Sequence, residues 1–291
     1  MTQVLANALV STAGYLIVGI GLSLVYTTCR FFHIAHGVVF TAAAYATYLL
    51  RVSVGLPLAL AVVGGLFIST LLGVAIETSV YRPLRKRAAG GASVLLASLG
   101  VYTAIQACLT LAFGSGTRTF RIDGPAEGMC FLGARVTDVQ LATVLLALAL
   151  FALTVIAASR TRIGSSLRAV GSNPQLAVVC GLSPDRVMLV AMAVASALAG
   201  VAGILVSADS GMTPTMGFRL LLMAMIAMIA GGGGSLYGIA LGSVILATLQ
   251  HLSSWWISSR WQDAIAFGFL LLLLSLRADG CLRKPRMRGG G

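Results

Sequence analysis

Six stretches of this chain stay apolar for about 20 residues or more, the length a helix needs to cross the hydrocarbon core of a bilayer. They are Leu5–Tyr26, Pro57–Val80, Val94–Phe113, Val139–Ala158, Val187–Ala208 and Leu236–Ile257. Three shorter runs, Gly37–Leu50, Leu220–Ala230 and Ala264–Leu276, complete the apolar pattern. Hydrocarbon offers no partner to backbone N–H and C=O groups, so each run must satisfy its own as a helix. The expected fold class is all-α: a polytopic transmembrane helical bundle of about eight to nine spans, with interrupted helices.

Composition excludes the soluble alternative. The chain is 58% hydrophobic and 10% charged, with mean hydropathy +0.97, whereas about a quarter of residues are charged in soluble domains. Residues 1–291 read as a single membrane domain. The net charge of +12 is spread through the gaps between apolar runs, without a basic groove interleaved with aromatics, so it reports topology and not nucleic acid. With about nine crossings and the cluster Arg82, Arg85, Lys86 and Arg87 placed inside, 14 of the 20 basic residues fall on the cytoplasmic side, the tail Arg277–Arg288 among them. The expected orientation is N-out, C-in. Met1–Val10 lacks a basic leader, so the first span is expected to stay in the mature protein. The five cysteines are far apart and read as reduced small hydrophobes.

The longest polar and basic interruption is residues 159–186. Asn173 before Pro174 is a helix start, Gly181 a left-handed stop, and Ser183-Pro184 a second start. Upstream, Gly164 precedes a short segment, Ser165–Val170, with Leu167 and Val170 one turn apart and Arg168 and Ala169 between them. Two short helices without a core of their own stand at the foot of a span. Such elements either dock into a partner's groove or lie on lipid headgroups, and the pattern leaves both readings open.

Two further interruptions break the apolar runs themselves. Cys29–Gly37 carries His33 and His36, spaced to share one face of a helical turn, followed by Gly37. Gly231, Gly232, Gly233, Gly234 and Ser235 follow an apolar run of 11 residues, roughly 17 Å of helix against a hydrocarbon core of about 30 Å. Broken spans in corresponding places of two halves point to a transport path near the midplane. Interfacial histidines bonded to carbonyls, and glycines used for close helix packing, are the alternatives. Glu77 is expected to pair with the Arg82–Arg85 cluster, Asp263 with Arg260, and Gln106, Gln250 and His251 to face the interior. The mixed-charge loop Gly114–Asp138 reads as an outer face for a soluble partner or as a plain solvated loop. No phosphate loop, zinc motif or nucleophile set is present in the sequence, so neither catalysis, a metal nor a cofactor is expected.

In order, Gly19–Tyr26, Ala35-His36-Gly37, Tyr81–Arg85, Gly164–Gly181 with Leu167–Val170, Gly232–Ser235, Asp263–Phe267, and Arg277 with Gly280 resemble the LivH-type permeases of bacterial ABC importers for branched-chain amino acids. The likeness runs nearly end to end. It departs at His33 and Val38, where the family has asparagine and an acidic residue. It implies a multi-pass subunit of the bacterial inner membrane that translocates leucine, isoleucine and valine. The implied partners are a LivM-type second permease, two ABC ATPase subunits, a periplasmic substrate-binding protein and membrane lipid. Urea and short-amide importers are the related alternative, and a stand-alone channel or carrier the alternative from another class. The resemblance also implies that Ser165, Leu167, Arg168, Ala169, Val170, Asn173, Pro174 and Gly181 form the segment that seats in an ATPase.

Overall fold

The computed structural model describes residues 1–120, 128–131, 133–256 and 258–276. Twelve α-helices among these are α1 (Thr2–Cys29), α2 (His36–Tyr48), α3 (Leu58–Ile76), α4 (Arg82–Lys86), α5 (Gly91–Phe113), α6 (Asp138–Arg160), α7 (Arg162–Ser172), α8 (Pro174–Val179), α9 (Pro184–Ser210), α10 (Met216–Ala230), α11 (Leu236–Ser253) and α12 (Gln262–Leu276). A π-helical turn, Glu77–Tyr81, joins α3 to α4, and another, Leu49–Ser53, extends α2. Six helices have the length and hydropathy of membrane spans: α1, the continuous α3–α4 rod, α5, α6, α9 and α11. They coincide with the six long apolar runs of the sequence.

α1 is the axis of the molecule. Its most apolar window is 78% buried and that of α9 is 56%, against 17% for α5 and 11% for α6. α1 packs on α6, α9, α10 and α11, and α2 is enclosed between α3, α9 and α10. Helices this apolar gain little from burial against one another in lipid, so close approach through small residues and dispersion has to hold them. Gly203 of α9 lies against the Phe40 carbonyl, Gly73 of α3 against Ser196, and Gly37 of α2 against the backbone of Gly217. α5 and α6 keep their aliphatic faces outward, with Leu96, Leu111, Leu145 and Leu153 well exposed. These are surfaces for lipid or another subunit.

Contacts along α1 order the remaining helices. Leu220 meets Gly14, Ala224 meets Gly19, and Gly233 and Gly234 meet Tyr26 and Thr27. α10 therefore runs alongside α1 for its full length, beside the reverse-running α11, whose His251 bonds back to Ser11 at 2.8 Å.

The structure adds to and corrects the sequence reading in several places. β1 (Gly128–Phe131) and β2 (Ala134–Thr137) add a short antiparallel hairpin, in the loop between α5 and α6, to an otherwise helical fold. The hairpin leads into α6 through a capping box between Thr137 and Gln140, both of which also bond Asp209 at the end of α9. Asp263 pairs with Arg219 of α10, not with Arg260, through Nε at 3.1 Å and Nη2 at 2.9 Å. Ser183 precedes α9 without capping it by its side chain. Residues 121–127 of the loop between α5 and α6, the tail Arg277–Arg288, Gly280 and Cys281 lie outside the described residues.

Candidate functional site

The site is built around the foot of α1. Arg30, in left-handed conformation with φ 61°, ends α1 and turns the chain into the loop that carries His33. His33 and His36 are 1% and 0% exposed. Their rings lie 5.7 Å apart, edge to face. The His36 ring occupies the space left by the missing side chain of Gly21 on α1.

Three segments distant in sequence converge on His33. Its Nδ1 lies 2.9 Å from the Tyr81 hydroxyl, which donates to Ser98 Oγ at 2.9 Å. Ser98 also accepts from the backbone N–H of Ala35 at 3.0 Å. All four groups are buried. With the Tyr81 proton given to Ser98, His33 donates through Nδ1 and leaves Nε2 as a bare acceptor. That Nε2 has no partner among the described residues, and His36 approaches the Val18 backbone without meeting hydrogen-bond geometry. Buried polar atoms in native proteins are nearly always bonded. Thr28, Tyr45, Glu77, Arg85, Ser196 and Ser243 each carry one such unpartnered buried polar atom as well, so what distinguishes the histidines is that two adjoining rings share the feature.

Below lies an ion ladder. Glu77, 1% exposed, accepts from Arg85. Arg85 lies 3.5 Å from Asp185, which also takes Arg82 Nε at 2.9 Å. The ladder joins the Glu77–Tyr81 turn to the first turn of α9, and Tyr81 stands at the end of that turn.

The glycine interruption is made of backbone. Gly232, Gly233 and Gly234 have φ of 94°, 53° and 116°, conformations that a side chain resists. Gly231 closes α10 and packs on Gly238 of α11, while Ser235 caps α11 through Gly238 N–H at 3.3 Å. The run lies at Tyr26 and Thr27 of α1, and Tyr26 in turn packs on Phe32 with centroids 4.8 Å apart. Tyr26 thus lies against both the glycine run and Phe32, the residue before His33. The sequence reading named both interruptions, quoted Tyr26 and Tyr81 only within stretches that resemble the family, and did not single out Ser98.

The capped helices form as their local signals require. Thr161 Oγ1 caps α7 at Gly164 N–H, Asn173 Oδ1 accepts from the N–H groups of Gln175 and Leu176 at 3.0 Å, and Gly181 has φ 81°. Ser165, Arg168, Ala169, Asn173, Pro174 and Gly181 are exposed, and Leu167 is half-buried. Val170 points inward and joins Ala177 and Met188 in a small core with Cys29, so it holds the segment in place and offers no contact surface. The aliphatic side chains that do face out are Ile163 on α7 and the cluster Leu176, Val178 and Val179 on α8. The apolar run of that cluster inside a polar segment was the available signal. Two hydrogen bonds to one carbonyl tie this segment to the end of α1: Arg30 donates through Nε at 2.9 Å and Nη2 at 2.6 Å to the carbonyl of Gly171. Gly171 itself lies on the Thr27 carbonyl.

Comparison with known proteins places this arrangement. Residues 4–274 match the family described as branched-chain amino acid transport system, permease component. The chain is 27% identical to the high-affinity branched-chain amino acid transport system permease protein LivH of Salmonella typhimurium, over 98% of this chain and 96% of that one. It is equally similar, over the same shares, to the corresponding permease protein BraD of Pseudomonas aeruginosa. Its backbone resembles that of PsaBC from Streptococcus pneumoniae in complex with Fab, with TM-score 0.52 at 14% identity, over 98% of this chain and 94% of that one. That last likeness concerns fold alone.

Proposed function

The chain belongs to the family of branched-chain amino acid transport system permease components, and from that premise we propose that it moves leucine, isoleucine and valine inward through a path beside the foot of α1. It is the membrane subunit of an ABC importer, and ATP hydrolysis belongs to separate subunits. In this reading two ATPases dock on α7 and α8, a second permease of the LivM type pairs with the outward apolar faces, and a periplasmic binding protein delivers the solute. The membrane is the bacterial inner membrane.

We read about nine crossings, N-out and C-in. Supporting this are the alternating directions of α9, α10 and α11 along α1, and the concentration of arginines at the α1 foot, the α3–α4 end and α7. In the mechanism, ATP-driven closure of the ATPases moves α7 and α8. Gly171 carries Arg30 with it, and the His33–His36 loop follows. Access then alternates around the two interruptions. ATPase affinity must differ between the two permease states for that work to be available.

The observation that carries the reading is the paired hydrogen bond from Arg30 to Gly171, which joins α7 to the start of the loop that holds His33 three residues on. The test reconstitutes the complete importer in proteoliposomes and measures ATP-dependent leucine uptake, with urea as competitor. A bulky charge at Ala169, or loss of Pro174, should abolish uptake while leaving the subunit in the membrane. Unchanged uptake in both variants removes the coupling role, and competition by urea but not by valine reassigns the substrate.

A further inference from the structure

We propose that the groove between α7 and the start of α9 binds one anionic phospholipid. The groove has a volume of about 190 Å³, with Ile163 and Leu167 of α7 facing Val187 and Val190 of α9, and Arg162 and Arg186 completing the lining. Both arginines are exposed, and neither forms an ion pair among the described residues. At the same end Arg82 and Arg85 are compensated by Asp185 and Glu77, whereas Lys86, Arg87, Arg160 and Arg168, like Arg162 and Arg186, form no ion pair among the described residues; what sets Arg162 and Arg186 apart is that they line an aliphatic slot. Two uncompensated cations around an aliphatic slot are complementary to a molecule with an anionic head and a hydrocarbon tail.

The slot continues toward the membrane. Arg186, Val190 and Val194 succeed one another four residues apart, so they form one stripe along α9. Val190 and Val194 are 38% and 43% exposed on a helix whose other faces are largely buried. A chain lying on that stripe would run from charge into hydrocarbon, as an acyl tail does below its phosphate. An acidic segment of protein would answer the arginines but leave the valine stripe uncovered, and a free phosphate would leave the whole slot empty. Basic residues at the membrane surface attract anionic lipid, each contributing roughly a fivefold gain in affinity. Because α7 forms one wall, lipid in the groove would fix the position of the helix that carries Gly171 and, through it, Arg30.

The proposal does not depend on the orientation given by the transport reading; lipid occupancy reports on the groove whichever way the chain faces. The full-length protein is placed in nanodiscs of phosphatidylcholine with phosphatidylglycerol, and retained lipid is counted by native mass spectrometry. Wild-type protein should retain one phosphatidylglycerol preferentially, and excess inorganic phosphate should not displace it. Replacing Arg162 and Arg186 together by alanine should lower retention by roughly fivefold per charge removed, and the R162K/R186K variant should recover most of it. A Val190→Asp variant, which keeps both arginines, should also lose the lipid. Equal retention of both lipids, displacement by phosphate, or full retention by the double alanine variant overturns the proposal. So does protection of Arg162 and Arg186 from labelling by the ATPase subunits alone, which would give the groove to protein.

Discussion

The two interruptions at the foot of α1 solve one problem by opposite means. Residues 30–36 fill their break with side chains: His33, Tyr81 and Ser98 bond one another out of contact with solvent, and Arg30 reaches out to Gly171. Residues 231–235 empty theirs of side chains, so that three successive left-handed residues turn the chain between α10 and α11. Broken backbone survives at membrane depth only where protein or a watery cavity receives it. The first break is held by specific side-chain partners and bonded to α7; the second is held by the shape of glycine and by close backbone packing on Gly238. In the proposed mechanism the first break is the one that movement of α7 would reach, and the second would serve as a turn between α10 and α11.

That contrast is easiest to break through the ion ladder beneath the first region. Removing one member of a buried ion pair leaves the other charge uncompensated, at a cost of about 3–5 kcal/mol. Arg85→Ala, which strands the buried Glu77 carboxylate while Glu77→Ala would leave Arg85 with Asp185, should accordingly be the most damaging change, read as a loss of thermal stability in detergent. The E77A/R85A double variant should be less damaged than R85A alone, because no stranded charge remains. If R85A melts like the wild type, the ladder does not support the Glu77–Tyr81 turn.

At the glycine region the expected penalty is backbone strain. Gly234 has φ 116° and faces the Thr27 side chain, so Gly234→Val should cost about 1–3 kcal/mol and lower leucine uptake even in protein that remains folded. The alanine variant should be milder. Equal tolerance of valine here and at an exposed helical site would mean that the run is not a constrained turn. Next in size comes Arg30→Ala. Hydrogen bonds from a charged donor contribute about 1.5–3 kcal/mol, but Arg30 is largely exposed, so the low end applies. Stability should fall slightly, while uptake falls further than ATP hydrolysis by the assembled importer. Parallel loss of both activities would indicate failed assembly instead of a cut link.

How much of this was legible beforehand follows from how local each signal is. The six long spans and the caps at Asn173, Pro174 and Gly181 could be read because a helix and its ends are specified within a few residues. Glu77 with Arg85 was readable for the same reason, since eight residues of continuous helix bring them together. The partner of Asp263 was not: Arg260 is nearer in sequence, but α10 packs against α12 and presents Arg219. The hairpin escaped because four-residue strands carry too little alternation to be recognised. At the site, His33, His36 and the glycines were visible as oddities in an apolar chain, whereas Tyr81 and Ser98 look ordinary until three segments converge. The acceptor of Arg30 was beyond reach of any sequence argument, because a backbone carbonyl has no letter of its own.

Tyr81→Phe is the finest probe of the comparison. The phenyl ring fits the same space, so packing against Phe31, 4.8 Å away between centroids, should persist. What is lost is one hydroxyl, and with it the bond to His33 and the bond to Ser98. Such bonds contribute about 1 kcal/mol each, and a buried donor left unpaired costs about 1–3 kcal/mol. His33 would become that donor. It can avoid the penalty only by turning its ring or exchanging its tautomer, either of which moves the proton away from Nδ1. The expected result is a fall of a few degrees in the melting temperature, with uptake reduced and the Gly231–Ser235 turn undisturbed. The His33→Asn change should relieve part of that loss in the Tyr81→Phe background, since the smaller amide can find other partners. If the double variant is instead additive, His33 and Tyr81 do not act as one unit, and the first interruption is held by packing in the same manner as the second.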